Sequence, residues 1–184
     1  MNNFDKQLVT GKIGESEIAR WLMSKGNNIL PIYEVAKGQY KGPTVYSANG
    51  ESIIAPDILA FSDKGIVWIE AKHKTGFTMH RKTDRWTTGI DLHHYFEYQK
   101  ISKLIDWPVW LLFLHKGGQA KDSEVSPSGL FGNSLQYLVE HENHRWTKTK
   151  PHMVYWAIDA LRELADYPLP DESNEEWLRD FDGR

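Results

Sequence analysis

Residues 56 to 74 read PDILAFSDKGIVWIEAKHK: two apolar, β-branched runs separated by Ser62-Asp63-Lys64-Gly65, with charges at their ends. Runs of this composition around a turn that offers glycine at a positive-φ position predict a β-hairpin. Its strands are read as Ile53 to Phe61 and Ile66 to Ala71. Side chains alternate along a strand, so Ile66, Trp68, Glu70 and Lys72 share one face and Val67, Ile69 and Ala71 the other. If Ser62 pairs with Gly65, the register sets Asp57 opposite Glu70. A three-residue turn would shift this by one position and keep them neighbours. Two carboxylates a few ångströms apart repel unless a cation lies with them. A divalent ion with oxygen ligands resolves that conflict.

A third carboxylate is located independently. On a helix read over residues 9 to 25 and closed by Gly26, Glu15, Ile18, Ala19 and Leu22 fall on one stripe, which sets Glu15 toward the sheet. Glu17 aligns with Arg20, Trp21 and Ser24 on the outer side. Each charge also has an ordinary reading: a turn end at Asp57, an ion pair of Glu70 with Lys72, a helix-boundary glutamate. Their coincidence around one hairpin favours a site.

The rest of the chain reads as α/β. Asn28 to Val35 is expected to be a strand, 37 to 50 a loop or loose hairpin, and 75 to 90 an exposed excursion. Asp91 is expected to cap a helix running to Ile105. Pro108 to His115 is expected as a buried strand and 117 to 129 as loop. Leu130 to His141 is expected to be helical, Met153 to Trp156 a strand and Ile158 to Ala165 a helix. Helices and strands in this order predict one domain with a mixed central sheet flanked by helices, over residues 1–166, followed by an acidic tail over 167–184 that is loosely held from Pro168.

Composition limits the chemistry. The absence of cysteine excludes disulfides, a thiol nucleophile and thiolate zinc sites. The N-terminal residues lack the basic-then-apolar pattern of a leader, and no apolar run is long enough to span a bilayer, so a cytoplasmic protein is expected. The net charge of −3 is unevenly spread. Asp159 to Arg184 holds nine acids and three bases, which leaves the remainder net positive. Lys72, Lys74, Arg81, Lys82 and Arg85 face one acid, Asp84, within 72 to 85. Lys74, Arg81, Lys82 and Arg85, with Phe77 and Trp86 interleaved, form a pattern suited to a phosphate backbone and stacked bases. Leu92, Phe96, Gln99 and Lys103 share a helix face, so Gln99 and Lys103 are candidates to reach the same pocket. The histidines of EHENH, His141 and His144, do not match a zinc-protease motif and are expected at the surface.

Pro56-Asp57, twelve residues, then Glu70-Ala71-Lys72 resembles the PD-(D/E)XK nuclease signature. GKIGESEIARWLMSKG, from Gly11 to Gly26, resembles the first helix of archaeal Holliday junction resolvases and related restriction-endonuclease-like proteins. The resemblance covers residues 10 to 75, and more loosely 92 to 115. It implies a restriction-endonuclease-like fold and hydrolysis of phosphodiester bonds, with DNA as the expected substrate and endonuclease action as the expected mode. Asp57 and Glu70 would ligate Mg²⁺ or Mn²⁺, the Ala71 carbonyl would add an oxygen, and Glu15 would complete the site directly or through water. Lys72 would orient the attacking water or stabilise developing charge. A homodimer is compatible with this reading. The excursion at 73–90 and the C-terminal extension depart from the shorter, more basic resolvases. Two other readings compete: a catalytically silent nucleic-acid-binding module on the same fold, and a structural domain whose charges are ion pairs.

Overall fold

The structure is a computed structural model that describes residues 3–31, 34–36, 39–41, 43–119 and 124–169. Most of the acidic tail lies outside the described residues. The core element is a six-stranded sheet in the order Asn28–Pro31, Ile58–Ser62, Gly65–Lys74, Val109–His115, Gly129–Ser134, Arg162–Ala165. Gly65–Lys74 and Val109–His115 run parallel, and the other neighbours are antiparallel. The sheet is therefore mixed and flanked by helices, as expected.

The central hairpin has the expected register. Ser62 pairs with Gly65 and Ile58 with Ile69, so Asp57 lies one step beyond the last pair, level with Glu70. Gly65 takes a φ of +118°, which a side chain would oppose. The second strand runs longer than expected, to Lys74, because it has a parallel partner in Val109–His115 along most of its length.

The two faces of the sheet bury different sets. On one, Ile18 and Leu22 of the Asn3–Ser24 helix pack on Ile58, Ala60, Ile69, Ala71, Leu112, Leu114 and Leu130. On the other, Trp68, Leu111, Phe113 and Phe131 meet Tyr95, Tyr98 and Ile101 of the Leu92–Ile105 helix. Asp91 caps that helix by accepting from the His93 N–H. Tyr167 and Leu169 pack on the first of these clusters, so the start of the tail is tied to the core, contrary to the loose hold expected from Pro168.

Three expectations are corrected. The excursion at 75–90 is a strand hairpin, Thr78–His80 with Arg85–Asp91, inside a second, four-stranded sheet completed by Met153–Ala157 and His144–Trp146. Arg85–Asp91 pairs with a strand more than sixty residues away, and its buried positions are the consecutive Thr87, Thr88, Gly89 and Ile90, so no apolar alternation announces it. The Leu130–His141 segment is strand up to Ser134 and only then helix, with Ser134 accepting the Tyr137 N–H. The Ile158–Ala165 segment is one 3₁₀ turn followed by an edge strand.

Gly14 fixes how closely the first helix approaches the sheet. A Cβ there would lie 2.3 Å from His73 Cβ. Alanine raises helix propensity by about 1 kcal/mol, but a backbone-proximal clash of this size costs about 1–3 kcal/mol. Gly14→Ala is therefore expected to lower stability in a denaturant titration; an increase would show that the helix stands further off.

Candidate active site

The strand–turn–strand unit delivers the acidic pair. Glu70 has no exposed surface and sits where the hairpin strand lies between two neighbours. Asp57, in the turn entering the first hairpin strand, stands level with it across the hairpin, and each feels the other's charge. Lys72, on the Glu70 face, contacts Glu70 Oε1 and lies 3.9 Å from Asp57 Oδ2. The Lys72 side chain keeps 29% of its surface exposed against none for Glu70, so the cluster opens to solvent at the lysine.

The charges do not balance. Burial, then the Glu70 charge, push the Asp57 carboxyl up to about 8; Lys72 opposes this and Glu15 adds to it. Burial disfavours the Lys72 charge, but Glu70 and Asp57 outweigh it and hold its pKa above the ordinary lysine value. Asp57 Oδ2 is buried without a hydrogen-bond partner. A buried oxygen of this kind, beside a second carboxylate and with one cation for the cluster, is a setting that a hard divalent ion would relieve.

Glu15 is half-buried beside the Gly14, Ile18, Leu22 stripe and acts on Asp57 and Lys72 through its charge. It does not join them as a third close ligand. Among the described residues no group of three or more His, Asp or Glu side chains is spaced to hold a metal ion. The Ala71 side chain is buried on the opposite face of the sheet, under the first helix.

The helix over 92–105 contributes residues that the sequence reading passed over. Tyr98 is buried beside Glu70, and burial first, then the Glu70 and Asp57 charges, hold its hydroxyl well above the ordinary tyrosine pKa. His94, one turn earlier, has its pKa lowered by burial, with Glu70 opposing and Lys72 adding. Gln99 is half-buried and Lys103 exposed on this helix. The stripe directed at Glu70 is His94, Tyr98, Ile101, and its i, i+4, i+7 spacing was legible beside the stripe chosen.

The basic residues separate by position. Burial first, then Lys72, bring Lys74 down to about 8, with Glu70 opposing, which places its amine in the field of the acidic cluster. Arg81 and Lys82 are exposed at the hairpin tip. Arg85 is held 2.9 Å from Asp159 in an exposed ion pair. Trp86 is half-buried against the core, and Phe77 is buried, stacked at 3.7 Å on His115. Phe77 is thus a core residue and offers no face to a base. His144 stacks between His80 and Tyr155, and His141 stacks on Tyr137.

No helix among the described residues is long and apolar enough to cross a membrane. No protein-family model and no curated protein matches the chain. In structure it is similar to Hjc, a Holliday junction resolvase from the archaeal hyperthermophile Archaeoglobus fulgidus, at 11% identity and a TM-score of 0.48, over 82% of this chain and 90% of that one.

Proposed function

We propose that the chain is a divalent-metal-dependent nuclease acting on DNA, with Asp57, Glu70 and Lys72 as its chemical centre. The observation that carries this reading is the meeting of buried Glu70, half-buried Asp57 and one lysine at the hairpin end, with Asp57 raised to about 8 and its Oδ2 without a hydrogen-bond partner. Structural ion pairs neutralise one another, whereas this cluster keeps an uncompensated acid, as sites awaiting a cation do.

Asp57 and Glu70 would hold Mg²⁺ or Mn²⁺, with the Ala71 carbonyl as a further oxygen and Glu15 acting through water. Bound there, the ion would polarise the phosphodiester and lower the pKa of a bound water. Tyr98, buried beside Glu70, borders the carboxylate on the helix side. Lys72 lies at the solvent edge, where its ammonium orients the attacking water or meets charge developing on the phosphate. Lys74, Arg81 and Lys82 supply phosphate contacts, Gln99 and Lys103 lie further along the helix edge, and Arg85 can join only by leaving Asp159. Trp86 supports the hairpin from its half-buried position.

Calorimetric titration with Mn²⁺ tests the centre. Wild type is expected to bind and Asp57→Asn to lose binding while keeping the same unfolding transition. Unchanged Mn²⁺ affinity in the variant would exclude the site, and a wild type that binds oligonucleotides without metal-dependent cleavage would favour the silent binding module.

A further inference from the structure

Residues 144 to 152, HRWTKTKPH, hold three cations and two histidines with no acid, and the function proposed above leaves them unused. The structure sets them against the start of the Leu92–Ile105 helix. The Leu92 N–H donates to the His152 carbonyl at 2.8 Å, which fixes the two segments together. Between them runs a groove of about 650 Å³ lined by His93, Phe96, Lys150, Pro151 and His152. Its acid, Asp91, is occupied as the helix cap, and nearby Glu142 is engaged by Arg145 and Tyr95. Arg145 is thereby neutralised by Glu142, and Lys148 and Lys150 carry the positive charge of the segment.

Phe96 lines the groove, and Trp146 ends the strand that leads into the 147–152 loop. Trp146 is 42% and Phe96 43% exposed. The Trp146 indole N–H donates to Thr149 Oγ1 at 3.0 Å, which holds the ring's orientation, and Lys148 Nζ lies 5.7 Å from its centroid. The Arg145 guanidinium lies 5.6 Å from the Phe96 centroid. A held ring paired with a cation suits a base with its phosphate, and only an unpaired base has a free face to stack. The surface also connects to the proposed centre. The His93 and His94 rings are 6.1 Å apart, His94 and Tyr98 6.0 Å, and buried Tyr98 lies in the field of Glu70 and Asp57.

We propose that Trp146, Lys148, Lys150, Phe96 and His93 bind an unpaired nucleic-acid strand that leads to the Glu70 site, so that the preferred substrate carries a single-stranded segment beside the cut. This rests on the nuclease reading for the cut, but the binding surface is measurable without it. Fluorescence anisotropy in EDTA would compare a single-stranded 20-mer, a blunt 20-base-pair duplex and the same duplex with an overhang, lengths on the order of one binding footprint.

Trp146→Ala is expected to weaken binding to the single strand and the overhang about tenfold and to the blunt duplex less than about twofold. Lys148→Ala/Lys150→Ala should reduce the single-strand salt slope by about 1.4, at about 0.7 per contact. Photocrosslinking of wild type to a 5-iodouracil oligonucleotide guards against a misfolded variant, and peptide mapping should find the crosslink at Trp146 or Phe96. Unchanged single-strand affinity in Trp146→Ala, an equal loss on blunt duplex, or crosslinks confined to other surfaces would overturn the proposal. If the surface fails and the nuclease reading holds, Trp146→Ala cuts the overhang substrate at the wild-type rate. If the nuclease reading fails, wild type cuts nothing and the binding results stand by themselves.

Discussion

Lys72→Ala is expected to reduce the single-turnover rate of metal-dependent cleavage by about 10²–10³-fold, the usual loss when one preorganised electrostatic group is removed from a site. The ammonium lies between the two carboxylates, in contact with Glu70 and 3.9 Å from Asp57. In the resting protein it occupies space and charge that a metal would share. Its removal therefore should not weaken Mn²⁺ binding, and relief of the competing positive charge should hold or tighten it. Substrate affinity should fall only modestly, because a lysine acting on charge that develops during reaction contributes more to the transition state than to the bound ground state. The combination is diagnostic: a large loss of rate with Mn²⁺ affinity preserved. Equal cleavage by the variant would remove Lys72 from the chemistry, and parallel losses of rate and Mn²⁺ affinity would make it a structural support of the carboxylates.

The acidic pair was legible because its placement depends on short-range rules. Two β-branched runs, a two-residue turn with glycine and the period of two along a strand determine which side chains meet, and Asp57 and Glu70 do meet. Lys72 follows from the same period. The second sheet was not legible because Arg85–Asp91 owes its strand state to Met153–Ala157, far along the chain. Of the buried residues in Arg85–Asp91 only Ile90 is aliphatic; beside it stand Thr87, Thr88 and Gly89, where a Cβ would lie 2.2 Å from the Val154 carbonyl oxygen, so close backbone approach takes the place of an alternating apolar pattern. The segment after Gly129 carries apolar residues at spacings that suit a helix, and pairing with Val109–His115 overrides them until Ser134. On the helix after Asp91, two stripes start one turn from the cap. Gln99 and Lys103 share a face with Leu92 and Phe96, whereas burial of Tyr98 and Ile101 orients the helix and carries His94 toward Glu70. Of the aromatic residues in the basic segment, Phe77 belongs to the core and Trp86 stays half-buried against it.

In the metal-free protein, the Asp57 contribution to stability should fall as pH rises from about 4 to about 8, against the opposite slope of buried His115, whose pKa is lowered to about 3, and Asp57→Asn should remove that contribution. Asp57 moves from an ordinary value of 3.8 to about 8 on folding, by burial first and by Glu70 second. Between these values the folded state holds a proton that the unfolded state has released. The Asp57 contribution therefore declines with rising pH across the window, and its loss is complete above about 8. Lys72 adds no slope there: its pKa is raised, so its contribution is fully present below 10.5 and fades only above it. Asparagine cannot ionise, so the variant should be more stable than wild type at pH 8 by about 1–3 kcal/mol, the cost of a poorly compensated buried acid, with little difference at pH 5. Mn²⁺ reverses the order. It requires the ionised carboxyl, so wild type should gain more from it at pH 8 than at pH 6, reaching about 2.7 kcal/mol at a hundred times Kd, while the variant gains nothing. Denaturant titrations at three pH values, with and without Mn²⁺, measure all of this. A variant with the wild-type pH slope would place the raised pKa on another group, and Mn²⁺ stabilisation that ignores both pH and Asp57→Asn would place the metal elsewhere.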